Sequence, residues 1–108
     1  DVFKHINTIE VLSPERFVLL PGATTDIGCP FHIELPDDVI GVFYPKRSLR
    51  DFKFELRAPL LHAEFNGRPK IMITNKSDST IEVNKFDAIA QIQLINTSVL
   101  NINIDNGN

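Results

Sequence analysis

The chain has 108 residues, of which 43% are apolar and 23% charged, and a formal net charge of −3. A chain of this length buries about two-thirds of its unfolded surface, enough for a core without disulfides or metal. The mild acidity argues against a nucleic-acid or membrane partner held by bulk charge. Cys29 is the single cysteine, so no intrachain disulfide can form, and a reducing setting in cytoplasm or nucleus is expected. No apolar run approaches the roughly 18 residues that cross a bilayer, and no signal-peptide pattern opens the chain. The chain starts at Asp1 rather than methionine, so it reads as a fragment or a processed product.

In chain order, apolar segments predict strands at 6–12, 16–20, 30–35, 39–44, 52–56, 69–74, 80–83, 88–95 and 99–104. Turn chemistry separates most of them: Ser13-Pro14-Glu15, Pro21-Gly22, Pro36-Asp37-Asp38, Asn66-Gly67, Asn75 to Ser79, and Asn84-Lys85. Short strands with such punctuation read as a compact antiparallel β-barrel or sandwich. Leu100, Ile102 and Ile104 interleave with polar residues, so one face is buried and the other wet. Ile71 and Ile73 alternate less cleanly, because Met72 between them is apolar. Ile89, Ile92, Leu94 and Ile95 are denser and suggest a strand covered on both sides. No stretch sustains helical periodicity, and 46–51 has room for one or two helical turns at most. The class is all-β, with 1–108 as one domain: a strand region over 1–20, a scaffold over 20–95 and a last strand over 98–105. The tail after it is expected to fray.

From Leu20 onward the order of motifs resembles the trimeric dUTPases. Leu20-Pro21-Gly22 is similar to the turn before that family's central strands. Ile33-Glu34-Leu35-Pro36 with Val39-Ile40-Gly41 resembles its "LP-x-G-Y-x-G" stretch. Tyr44-Pro45-Lys46-Arg47-Ser48-Leu49 sits where the family carries Pro-Arg-Ser-Gly-Leu, its phosphate-binding motif. Glu64-Phe65-Asn66-Gly67-Arg68 sits on Asp-Tyr-Arg-Gly-Glu, and Lys70 to Asn75 on the strand that follows. Asp87-Ala88-Ile89-Ala90-Gln91-Ile92 resembles "Gly-Asp-Arg-Ile-Ala-Gln-Leu-Ile". Five motifs in order over about three-quarters of the chain imply the dUTPase-like β-clip fold. The telokin-like proteins of baculoviruses are a second resemblance within that fold.

The resemblance implies an ancestral hydrolysis of dUTP between its α- and β-phosphates, in sites shared by three subunits. In the family an aspartate activates water, an Arg/Ser motif holds metal-bound phosphates and a tyrosine stacks under deoxyribose. The aspartate's counterpart is His62, the tyrosine's is Phe65, and Ala88 replaces the arginine of the late motif, while Gln91 is kept. An imidazole can act as a base near neutral pH, but only when tightly positioned. Aligned on Leu49 without a gap, Lys46, Arg47 and Ser48 replace Arg, Ser and Gly. Shifted by one residue, Arg47 and Ser48 keep the pair. The opening Ala-Gly-Tyr-Asp-Leu and the glycine-rich C-terminal arm are absent.

Lys46, Arg47 and Ser48 with His62, Phe65 and Gln91 are therefore the candidates for a residual anion or nucleotide site, with Arg50 adding to the basic patch. For Lys46-Arg47 the plainer reading is a solvated turn, and for His62 a satisfied strand residue. His5, His32 and His62 lack metal-ligand spacing, and neither metal nor cofactor is expected. Cys29 and His32 would face opposite ways on a strand, so Cys29 reads as structural. Asp26, Asp37 and Asp38 read as turn residues. Phe52 and Phe54 around Lys53 read as core rather than as a stacking strip for nucleic acid.

The leading expectation is a non-enzymatic, viral-type binding or structural module on a dUTPase-like scaffold, with an unidentified protein partner. A divergent metal-dependent nucleoside triphosphate pyrophosphatase is the alternative, with His62 as base. A structural β-domain of unrelated origin stays open. A monomer is favoured over a homotrimer, because the arm that crosses to a neighbour is missing.

Overall fold

The computed structural model describes residues 7–46 and 54–97, and it is built from strands. In chain order these are β1 (Thr8–Leu12), β2 (Phe17–Leu19), β3 (Thr24–Gly28), β4 (Ile33–Glu34) and β5 (Val39–Pro45), then β6 (Phe54–Arg57), β7 (Asn66–Gly67), β8 (Lys70–Asn75), β9 (Ile81–Val83) and β10 (Ala88–Asn96). Among the described residues every pairing is antiparallel, in sheets ordered β1-β10-β5, β2-β9, β3-β8-β6 and β4-β7. Among the described residues no helix is long and apolar enough to cross a membrane.

The period-2 rule explains most of the burial. Ile71 and Ile73 are buried on β8 while Met72 between them is exposed. Val11, Leu19, Ile27, Ile33, Val83 and Ile92 supply the core from β1, β2, β3, β4, β9 and β10, so all four sheets feed one cluster. At roughly 2 kcal/mol for each fully buried aliphatic side chain, this cluster is the main favourable term.

β10 departs from the expected strand covered on both sides. The β1 register slips between Val11, opposite Ala90, and Leu12, opposite Ala88, leaving Ile89 as the extra residue of a bulge. Ile89 and Ala90 are therefore buried side by side. Beyond the bulge Ile92 is buried and Gln93 exposed, and Leu94, Ile95 and Asn96 are all half-buried.

Two short strands were hidden in the sequence. Thr24–Gly28 is polar and pairs with β8, where the Thr24 and Thr74 hydroxyls share a 2.7 Å hydrogen bond across the strands. Asn66-Gly67 was expected as a turn and instead forms β7 against Ile33-Glu34. The turn lies just before it, over residues 62–65. The expected strand at 30–35 is shortened to Ile33–Glu34, because the chain bends at Pro30 and Phe31; Cys29 is buried and His32 is exposed. His5, Phe52, Lys53, the helical candidate beyond Lys46 and the expected strand at 99–104 lie outside the described residues.

Asn75 is a tightly bound polar side chain. It is fully buried. Its amide donates to the Leu19 and Ser79 carbonyls at 3.0 and 2.8 Å and accepts from the Ser77 amide and hydroxyl. A buried amide with all its bonds made fixes a unique arrangement.

Candidate functional site

The family-like positions fall into two groups. The first is built around β5. Gly41 and Leu61 exchange backbone hydrogen bonds of 2.9 Å each. A Cβ at Gly41 would sit 3.1 Å from Leu61 Cδ1 and 3.2 Å from Ile92 Cγ2, so the close approach depends on glycine. Leu61 is fully buried, and it anchors the turn that follows.

In that turn the Phe65 amide donates to the His62 carbonyl at 3.0 Å, and Glu64 has φ 68°. A positive φ at the third position belongs to a type II turn. The turn is held from outside as well: the Glu64 amide donates to Pro36 and the Leu35 amide to Phe65. Phe65 is partly buried against the core. His62 is exposed at the head of the turn rather than on a strand. Among the described residues no hydrogen bond or ion pair holds its imidazole.

The second group lies on the outer face of the β1-β10-β5 sheet. Gln91 stands between Glu10 of β1 and Tyr44 of β5 in register. Lys46 follows β5, and its Nζ lies 2.6 Å from Glu10 Oε2. Its charge is thus partly spent on a carboxylate. Tyr44, Pro45, Gln91 and Gln93 line an open cavity of about 160 Å³. Arg47, Ser48 and Arg50 lie outside the described residues.

His62 and Lys46 are not brought together along β5. Leu61 is bridged to Gly41 and Lys46 is five residues further on, roughly 16 Å at about 3.3 Å per strand residue. Among the described residues no three His, Cys, Asp or Glu side chains are grouped to hold a metal ion. Cys29 is buried, and burial pushes its thiol up to about 11, the reverse of an activated nucleophile. His32 is bonded to the Asn66 side chain instead.

Three residues of this surface escaped sequence reasoning. Glu10, Tyr44 and Gln93 could have been found from strand alternation, since each shares a face with Gln91. Outside this surface Phe86, 67% exposed with φ 74°, was missed as well. Its signal was the late motif itself, in which a glycine precedes the aspartate that matches Asp87.

The whole architecture matches known proteins. A family model described as dUTPase matches residues 9–108. Among solved structures, native EIAV dUTPase superposes with a TM-score of 0.79 at 15% identity, covering 97% of this chain and 88% of that one. A mutant dUTPase from phage phi11 of S. aureus gives 0.74 at 15%, covering 95% and 85%. The dUTPase of Staphylococcus bacteriophage 80alpha with dUPNHPP gives 0.75 at 14%, covering 95% and 78%. No curated protein sequence matches.

Proposed function

The chain belongs to the dUTPase family, and on that premise we propose that it is a non-enzymatic, viral-type member, acting inside the host cell as a binding or structural module. The observation that carries this reading is His62. By the order of motifs it takes the place of the family's catalytic aspartate; it is exposed at the head of a tight turn, with no described side chain orienting its ring. A general base works by being held within hydrogen-bond reach of the proton it removes, usually by a third group.

Three further observations support the reading. Phe65 lacks the hydroxyl of the family's tyrosine, Ala88 lacks the arginine's charge, and Lys46 is engaged by Glu10. A fold does not bind its owner to one chemistry. The 80alpha structure is described as one of the phage dUTPases that control transfer of virulence genes by a proto-oncogenic G protein-like mechanism. Control of another process is therefore ascribed to at least one protein of this fold.

The test is nucleotide binding, read by thermal shift and calorimetry with dUTP in the presence of magnesium, with light scattering on the same sample. The expected result is a monomer whose melting temperature dUTP leaves unchanged. A saturable shift specific to dUTP would favour the divergent pyrophosphatase.

A further inference from the structure

β7 consists of Asn66 and Gly67, a pair of residues that is chemically prone to lose an amide. A glycine after asparagine has no Cβ to hinder its nitrogen and turns freely, so that nitrogen can attack the asparagine carboxamide. A bond forms between the Gly67 nitrogen and Asn66 Cγ while the Cγ–Nδ2 bond breaks, and ammonia leaves with the proton of the Gly67 amide. Water then opens the succinimide to aspartate or to isoaspartate. The sequence holds two such pairs, Asn66-Gly67 and Asn106-Gly107, and the second lies outside the described residues.

The first pair is exposed yet restrained. Water reaches Asn66, which is exposed. Its backbone is paired, with Asn66 opposite Glu34 and Gly67 opposite Ile33. The strand is fastened before and after as well: the Leu35 amide donates to the Phe65 carbonyl at 2.8 Å and the Cys29 amide to the Pro69 carbonyl at 2.9 Å. Across the sheet, Asn66 Oδ1 is bonded to the imidazole of His32, one residue before β4. A carboxamide oxygen only accepts, so His32 Nε2 donates.

Attack needs the carboxamide carbon folded back over the next nitrogen of its own strand. A carboxamide tied to His32 reaches across to the neighbouring strand instead. A donor on Oδ1 also polarises the carbonyl, but polarisation helps only once the nitrogen is within reach. Conversion would be destructive here. Either product places a carboxylate opposite Glu34, and like charges directly opposite destabilise a strand pair. Isoaspartate also adds a backbone methylene, which breaks the register of Gly67 on Ile33. The 62–65 turn that carries His62 ends one residue before, so the damage reaches it.

We propose that Asn66 is a deamidation site held in check by His32 and reacting when β7 leaves β4. The folded chain keeps the amide, and a chain that opens there is marked irreversibly. The site stands whether or not hydrolysis survives.

The test is peptide mapping by mass spectrometry during incubation of the whole chain at neutral pH, with Asn106 as the internal reference. In the native chain conversion at Asn66 should lag that at Asn106 by about tenfold or more, because attack waits on local opening of the strand pair. In urea the lag should vanish. His32→Ala should shorten the native lag several-fold with conversion at Asn106 unchanged. His32→Gln, which keeps a donor for Oδ1, should restore it. Amide spectra of both variants report whether β4 and β7 stay paired. An Asn66 that converts as fast as Asn106 in the native chain, or a lag intact in His32→Ala, would overturn the proposal. So would a lag lost in His32→Ala because β4 and β7 have separated, since the strand pairing and not the histidine would then be the guard.

Discussion

Two turns of this protein share a backbone and differ in what they carry. Residues 62–65 and 84–87 each close with an amide-to-carbonyl bond, 3.0 and 3.1 Å, and each holds its third residue at positive φ, 68° at Glu64 and 74° at Phe86. A third turn shows the ordinary solution. Over residues 20–23 the Ala23 amide reaches the Leu20 carbonyl at 2.9 Å, and the third residue is Gly22 at φ 79°. Glycine occupies such positions at no steric cost.

The other two carry an acid and an aromatic ring where glycine would be easier. The 62–65 turn is pinned from inside by Leu61 and turns Phe65 toward the core. The 84–87 turn is pinned from beneath by Ser13 and turns Phe86 outward. One carries His62 and Phe65, on which the proposed loss of chemistry rests, and the other presents a ring to solvent.

The largest break in the comparison should come from Gly41→Ala. The added methyl meets Leu61 and Ile92 at 3.1–3.2 Å, and overpacking of this kind costs about 1–3 kcal/mol. Denaturant unfolding should show that loss, and amide shifts should change at 62–65 but not at 84–87. Unaltered stability would mean that Leu61 does not anchor the first turn.

The core beneath both turns has its own signature in pH. The thiol of Cys29 is held at about 11 in the folded chain against 9.0 when exposed, so the folded state binds the proton more tightly. Stability is then complete below pH 9 and falls as pH rises toward 11, by roughly 1.4 kcal/mol per pH unit. Cys29→Ala should remove that slope. A slope unchanged in the variant would assign it to other groups.

The smallest expected effect sharpens the comparison most. Glu64→Gly relieves a strained φ and should stabilise the chain by about 0.5–1 kcal/mol. A loss of stability instead would show that the Glu64 side chain is a structural part of its turn.

The fold was legible where an apolar run stood between turn residues. Ile71, Ile73, Val83 and Ile92 marked their strands, and Pro21-Gly22 marked its turn. It was hidden where pairing rather than apolarity makes the strand. Thr24–Gly28 has one buried residue, Ile27, and Asn66-Gly67 is a strand only because Ile33-Glu34 lies opposite. The bulge at Ile89 mimicked a strand buried on both faces, since one extra residue brings two neighbours inward. Of the candidate site, the motif order located His62, Phe65, Lys46 and Gln91. It could not tell that β5 separates His62 from Lys46, or that Lys46 pairs with Glu10, because both facts depend on register. Phe86 escaped because an aromatic residue in a turn looks like core until its exposure is known.

The central claim is that the scaffold outlived the chemistry. Its most direct test is pyrophosphate release from dUTP with magnesium or manganese, beside an active dUTPase as control and with His62→Ala in parallel. No release above background is expected, and no difference between the two chains. Metal-dependent turnover that falls about 100-fold or more in His62→Ala, the size of a lost general base, would contradict it and make this chain a working hydrolase.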